Sequence, residues 1–199
     1  MNNESNLYRI KDTHEYTYTS KGSKFIAYAK PVISVAAAEE YVASLRQQHF
    51  KARHHCYAYR IGKYYRANDD GEPSGTAGLP IYNQILSFAL SEIVVVVVRY
   101  FGGTLLGVPG LIKAYKEASH GALYDASREV IVPMSILNVQ VDYPSVNALM
   151  RIIKQRKLTI VAQKMAMQCV YQLQCPGADL NAIKQEMMTV PSLIFLANN

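Results

Sequence analysis

The stretch Ser91–Gly103, SEIVVVVVRYFGG, is the part of the chain that decides the fold. Its valines run on without the alternation of apolar and polar residues that marks a strand with one face in water. Such a strand is buried on both faces, so other elements must cover it from either side. The aliphatic run is far shorter than the roughly 20 apolar residues of a membrane-spanning helix, so we expect no membrane partner.

Arg99 closes this strand. A guanidinium at the end of a buried run is costly unless it meets a carboxylate or another anion, and Asp70 and Glu72 are the candidate partners. The pair could be a structural salt bridge or part of a ligand site, because both use the same fork geometry. We expect Asp70, Glu72 and Arg99 to converge beside Gly102 and Gly103.

Two glycine-rich loops flank the strand: Ala67–Pro80, ANDDGEPSGTAGLP, and Phe101–Gly110, FGGTLLGVPG. Each leads into a helix near a proline, so each could present backbone N–H groups and a positive helix end to an anion. A phosphate-containing small molecule is the natural ligand, although neither loop has the P-loop or the dinucleotide fingerprint. Alternatively, the glycines only allow close backbone packing against the valine strand.

The acidic part of the first loop allows two further interpretations. Asp69, Asp70 and Glu72 could hold a divalent cation or supply acid and base groups. Ordinary turn chemistry also explains Asp-Gly and Pro-Ser-Gly. A loop that only connected a strand to a helix would usually need about 2 to 6 residues, which favours a functional loop here.

A hairpin, HHCYAYRIGKYYRA, precedes the acidic loop. His54 and His55 point to opposite faces of its first strand, so only one of them can join a cluster on the inner face. Cys56 could form a nucleophile pair with His54, but a buried core cysteine is the favoured interpretation.

The second half predicts the order βαββαβ from Ile136 to Leu196, which is the ferredoxin-like split motif. Its basic residues could bind RNA phosphates or form the solvated side of a helix, and no RNP-type aromatic motif accompanies them. The densest basic cluster consists of Arg151, Lys154, Arg156 and Lys157.

Composition places few further limits on the protein. The chain has 199 residues, 50% of them hydrophobic and 18% charged, which fits two small folded domains. Three cysteines without zinc-type spacing and a polar start, MNNESN, lead us to expect a cytoplasmic protein with no signal peptide and no cofactor. The net charge of +6 is compatible with a polyanionic partner such as RNA.

Three motifs give the chain a family resemblance. DDGEPSGTAGLPI, VVVVRYFGGTLLG and LIKAY closely resemble the signature blocks of the YigZ/IMPACT family, and ARHHCYAYRIG is similar to the block before them. The resemblance covers about Ser20 to Ala126. The shorter second half resembles the C-terminal domain of bacterial YigZ members, which is similar in fold to the last domain of elongation factor G.

The resemblance implies an α+β protein with an IMPACT-like domain followed by a ferredoxin-like domain. Pro133 interrupts the β-type stretch between them, so we place the domains at residues 1–134 and 135–199. The first would have the left-handed βαβ fold of a small-subunit ribosomal protein and of GHMP kinases. Eukaryotic IMPACT members regulate translation by competing for an activator of an initiation-factor kinase. The family's marked residues fall on His54, Asp70, Gly71, Glu72, Gly75, Thr76, Gly78, Arg99, Tyr100, Gly102, Gly103 and Gly107.

The chain departs from the family pattern at Pro109, where glycine is usual. Proline is tolerated in a first helical turn, but it removes one N–H that an anion could use. The resemblance leads us to expect a translation-linked regulatory protein or a binding protein associated with RNA or the ribosome. The alternative is an enzyme that acts on a phosphate ester or nucleotide at the glycine-lined acidic site.

Overall fold

A computed structural model describes residues 7–197 of the chain. The start of the chain, where the sequence predicts no signal peptide, and the last two residues lie outside this description. The chain divides into two compact units, the first ending at Ile131 and the second beginning at Val132. The α+β class is confirmed, whereas the two named subdomain folds and the domain limits 1–134 and 135–199 stay predictions.

The first unit is built on a five-stranded antiparallel sheet. Its strands within the described residues are β1 (Tyr8–Ile10), β2 (His14–Ser20), β3 (Ser23–Pro31), β4 (His54–Ile61), β5 (Tyr64–Asn68), β6 (Ile93–Tyr100) and β7 (Arg128–Val130). Its helices there are α1 (Val35–Gln48), α2 (Gly78–Ser87) and α3 (Gly107–Tyr124). The sheet has the order β2-β3-β6-β4-β5, and β1 pairs separately with β7.

Strand β6 is buried on both faces, as its unbroken valine run predicts. Val94, Val96 and Val98 pack in one core with α1, and Val95 and Val97 pack in a second core with α2 and α3. All five valines are fully buried. Each contributes roughly 1.5 kcal/mol or more by leaving water, so β6 anchors both layers of the unit.

Local sequence signals set where the neighbouring elements begin and turn. The Ser34 hydroxyl accepts the N–H of Ala37 at 3.2 Å and so caps α1. The β4–β5 hairpin turns at Gly62, which has a left-handed φ of 56°. After the turn at Gly62, β5 leads into the acidic loop.

The second unit contains a four-stranded antiparallel sheet with two helices. Its elements are β8 (Met134–Val141), α4 (Val146–Gln155), β9 (Thr159–Met165), β10 (Cys169–Pro176), α5 (Leu180–Met187) and β11 (Ile194–Leu196). The strand order is β11-β8-β10-β9. Alternate β8 residues, Leu137, Val139 and Val141, share a core with Leu149 and Ile153 of α4. Among residues 7–197, no helix is long and apolar enough to cross a membrane.

Candidate functional site

Arg99 and Glu72 form a buried ion pair at the end of β6. Arg99 Nη1 donates to Glu72 Oε1 at 2.5 Å, and the two side chains are only 7% and 4% exposed. The Tyr115 hydroxyl of α3 donates to the same oxygen at 2.8 Å. Of the two carboxylates predicted as partners, Glu72 therefore neutralises Arg99.

Asp70 does not join this pair, so its predicted convergence with Arg99 is wrong. Its Oδ2 accepts the backbone N–H of His55 at 2.6 Å, and its Oδ1 accepts from Arg46 of α1 at 2.5 Å. Asp70 has a left-handed φ of 44°. This tight turn directs the carboxylate towards α1, while the Asp70 carbonyl oxygen faces His54.

Asp69 supplies the cap of α2. Its carboxylate accepts the backbone N–H groups of Gly75 at 2.9 Å, Ala77 at 3.0 Å and Gly78 at 2.8 Å. The anion position at the start of α2 is thus occupied by the chain's own carboxylate. The hypothesis that the first loop offers free N–H groups to a phosphate is therefore wrong.

The three acidic residues of the first loop do not form a common oxygen cage. Asp69 caps a helix, Asp70 binds Arg46 and Glu72 binds Arg99, so each carboxylate is directed to a different partner. Within the described part of the chain, no group of three or more His, Cys, Asp or Glu side chains is placed to hold a metal ion. The loop geometry gives the cation interpretation no support.

His54 has a defined tautomer. Its Nδ1 lies 2.8 Å from the carbonyl oxygen of Asp70, and because a carbonyl only accepts, Nδ1 carries the proton. When the ring is neutral, its Nε2 keeps a lone pair. It lies 3.9 Å from Glu72 Oε1, beyond hydrogen-bond distance. His54 can therefore accept a proton or a hydrogen bond from a group placed beside Glu72.

Cys56 lies beneath the site and is not poised as a nucleophile. The thiol is fully buried and donates to the Asp69 carbonyl oxygen at 3.0 Å, with the Tyr115 hydroxyl 3.3 Å away. Burial raises the pKa of Cys56, and the same cause raises the pKa of Tyr115. The structure thus favours the core-cysteine interpretation over the Cys-His nucleophile.

A cavity of about 500 Å³ opens beside the ion pair and is called the Arg99 pocket below. Its polar lining consists of His54, Glu72, Arg99 and Arg53, and the first turn of α3 also lines it. Arg99 Nε is buried and has no hydrogen-bond partner among residues 7–197. Sequence reasoning missed Arg53 and Tyr115.

The structure brings five of the twelve predicted ligand residues to this pocket: His54, Gly71, Glu72, Arg99 and Gly107. The others lie outside its lining: Asp70, Gly75, Thr76, Gly78, Tyr100, Gly102 and Gly103. Tyr100 instead contacts His49 Nδ1 at 2.9 Å, on the α1 side of the sheet. The Thr76 hydroxyl donates to Pro73 within its own loop.

Close backbone packing accounts for Gly102. A Cβ at this position would overlap the carbonyl carbon and oxygen of Gly22. The Gly102 N–H also faces the Ser23 hydroxyl at 3.2 Å. Its glycine is therefore required by the contact between two chain segments, as the packing alternative proposes.

A larger groove, of about 820 Å³, lies on the other side of the unit beside α1. Its lining includes Lys11, Lys30 and Arg9, and Arg9 pairs with Glu129 at 2.6 Å and with Glu92 at 3.2 Å. Because the buried Arg99 Nε has no partner among residues 7–197, we place the candidate site at the smaller Arg99 pocket.

The predicted nucleic-acid cluster of the second unit is exposed at the C-terminal end of α4. Arg156 is not a free cation, because its Nε donates to Glu186 at 2.6 Å. Arg151, Lys154 and Lys157 are exposed and lack a salt-bridge partner among residues 7–197. Three cations therefore remain available to a polyanion.

Comparisons with known proteins agree with one another. The Impact N-terminal domain family model matches residues 21–123. An IMPACT family member of Haemophilus influenzae is 35% identical over 72% of this chain and 72% of its own. YvyE of Bacillus subtilis is 38% identical, and the match covers 68% of this chain and 64% of YvyE. YigZ of Escherichia coli is 40% identical, and the match covers 62% of this chain and 63% of YigZ.

A solved structure extends the similarity to both units. The crystal structure of a protein described as hypothetical has a TM-score of 0.80 and 30% sequence identity, and the match covers 97% of each chain.

Proposed function

The chain belongs to the IMPACT family, and on that basis we propose that it is a cytoplasmic, translation-linked binding protein whose first unit holds a phosphate group in the Arg99 pocket. The link to translation rests on the resemblance of its motifs to those of the translation-regulating members. The phosphate site rests on the geometry of this chain.

One observation carries the phosphate site: the buried Arg99 Nε has no partner. A buried donor without an acceptor costs about 1–3 kcal/mol, and more when the group is charged. An oxygen of a bound oxyanion would satisfy this donor, and the planar guanidinium suits phosphate.

The surroundings of Arg99 also favour an anion. The first turn of α3, at Gly107 and Val108, lines the same pocket, so the positive end of an 18-residue helix lies close to the proposed anion, and Pro109 is the one residue of this turn without an N–H. Arg53 adds an exposed cation at the pocket wall. Glu72 keeps Nη1 of Arg99 engaged, while Nε has no partner among residues 7–197.

Calorimetric titration with inorganic phosphate tests this proposal. The variant is Arg99→Gln/Glu72→Gln, which removes both charges and so leaves no unpaired ion in the interior. We expect saturable binding to the native chain and at least a tenfold loss in the double variant, because one charged hydrogen bond contributes about 1.5–3 kcal/mol. Arg66→Gln, in an exposed pair with Glu39, is the control. Equal affinity of the native chain and the double variant would disprove the site.

RNA binding by the second unit is a second candidate function. It is favoured by the three unpaired cations in α4 and just after its C-terminal end, Arg151, Lys154 and Lys157. The face of the sheet away from this unit's core carries the polar residues Asn138 and Gln140 on β8 and Gln172 and Gln174 on β10, none of which is an aromatic ring on which a base could stack. Binding would depend on charge, with a slope of about −2 in log affinity against log salt for three phosphate contacts on a single strand.

Neutralising Arg151, Lys154, Arg156 and Lys157 to glutamine should therefore abolish binding of a single-stranded oligonucleotide in a fluorescence anisotropy titration. The control changes Lys11, Lys21, Lys24 and Arg66, which are exposed in the first unit. Unchanged affinity in the first variant would remove the second unit from RNA binding.

An enzyme that acts on a phosphate ester is the remaining alternative, and the free Nε2 of His54 favours it. This atom could accept the proton of an attacking water beside a phosphate bound at Arg99. Steady release of phosphate from phenyl phosphate, lost in His54→Gln with binding retained, would identify an enzyme. Binding without turnover would identify a binding protein.

A further inference from the structure

The rim of the Arg99 pocket carries apolar side chains that are exposed to water. Phe101, Leu105 and Val108 are 44%, 81% and 52% exposed, and all three line the cavity. They belong to one segment, the loop from β6 into the first turn of α3. Exposed apolar residues grouped beside a cavity are typical of a binding surface.

The cavity is also larger than a phosphate group requires. A phosphate displaces the volume of about two or three waters, at roughly 30 Å³ each, whereas the cavity measures about 500 Å³. A bound phosphate alone would leave the rim in water.

We infer that the ligand of the Arg99 pocket is a phosphate monoester whose other part is a flat apolar group, aryl or nucleobase in type. This inference rests on the proposed phosphate site and specifies its ligand class. The phosphate occupies Arg99 Nε and the start of α3, and the flat group covers the rim.

The position of Phe101 favours a flat group over an alkyl chain. The Arg99 guanidinium carbon lies 5.7 Å from the centre of the Phe101 ring, so the ring stands next to the anion-binding group. An aromatic substituent on the bound phosphate would therefore reach this ring, where offset or edge-to-face contact is favourable. Leu105 and Val108 then exclude water from the remaining sides.

Calorimetry with three probes tests the inference: inorganic phosphate, methyl phosphate and phenyl phosphate, at about pH 8, where the monoesters are dianions. We expect phenyl phosphate to bind at least about tenfold more tightly than methyl phosphate, since covering a few tens of Å² of apolar surface corresponds to that gain. Phe101→Ser/Leu105→Ser should remove the preference for phenyl phosphate over methyl phosphate.

Ile33→Ser is the matched control, because Ile33 is 78% exposed and lies away from this pocket. Equal affinity of the native chain for all three probes would disprove the flat group and leave the phosphate site standing. A phenyl preference that survives the double variant would disprove the role of the rim. If no probe binds, the phosphate site itself fails, and this inference fails with it.

Discussion

Arg99 and Glu72 share a single short contact, Nη1 to Oε1 at 2.5 Å, while the Nε of the same guanidinium has no partner among the described residues. A buried arginine that serves structure alone would be expected to have its donors paired. The unpaired Nε is the donor that we propose for the ligand.

The first prediction concerns the charge of Glu72. In Glu72→Gln the guanidinium of Arg99 stays buried without a counter-charge, so unfolding by urea should show a loss of about 3 kcal/mol. Added phosphate should restore part of this loss, because it supplies the missing anion. Glu39→Gln, in an exposed pair, should change stability by less than about 1 kcal/mol. A loss in Glu72→Gln no larger than that of the control would contradict this account.

The second prediction concerns the cap of α2. Asp69→Ala removes the acceptor of three backbone N–H groups, so the free energy of unfolding should fall by about 2 kcal/mol. Chemical denaturation measures this change. Asp12→Ala, at an exposed position, should stay within about 0.5 kcal/mol of the native chain. If the two variants were equally stable, Asp69 would not be the cap.

The buried strand and the acidic loop differ in how far the sequence predicts them. The valine run predicted the doubly buried strand, and the cost of burying Arg99 predicted a carboxylate partner. The separate directions of Asp69, Asp70 and Glu72 could not be predicted, because they depend on the left-handed turn at Asp70. The Asp69 cap could not be predicted either, because Asp69 lies eight residues before Ala77 and reaches its N–H only through the folded loop.

The apolar residues of the rim were only partly predictable from the sequence. Phe101 and Leu105 stand in a glycine-rich loop, where polar residues are usual, but only the fold shows that they border a cavity. Tyr115 lies on the inner face of α3, and its bond to Glu72 depends on tertiary contact between distant segments.

The third prediction concerns pH. Burial lowers the pKa of His55, and Arg46 lowers it further, while Asp70 and the backbone of His49 oppose the shift. The unfolded chain therefore binds a proton more readily than the folded chain. The contribution of His55 to the free energy of unfolding is therefore fully present above about pH 6.5, the ordinary pKa of histidine in the unfolded chain. This contribution is lost as the pH falls from there towards the lower pKa of the folded chain.

Urea unfolding at a series of pH values, for the native chain and for His55→Gln, isolates this contribution. The native chain should lose more stability than the variant on acidification through this range. Parallel pH profiles for the two proteins would show that His55 does not titrate in this way.

The fourth prediction concerns the contact of Gly102 with Gly22. In Gly102→Ala the new methyl group would overlap the Gly22 backbone, so a loss of about 3 kcal/mol or failure to fold is expected. Gly62→Ala is the control, because Gly62 has open space around it and only its left-handed φ is strained, at about 1 kcal/mol. Thermal unfolding compares the two, and equal losses would exclude the packing role.

The most direct test of the phosphate site is the nitrogen-15 NMR signal of the Arg99 Nε–H group during titration with inorganic phosphate. The account predicts a saturable shift of this signal, together with the amide signals of Gly107 and Val108, and no comparable shift for the Nε–H of Arg66. An Arg99 signal that stays in place at phosphate concentrations that saturate binding would show that phosphate binds elsewhere, and would contradict the proposed site.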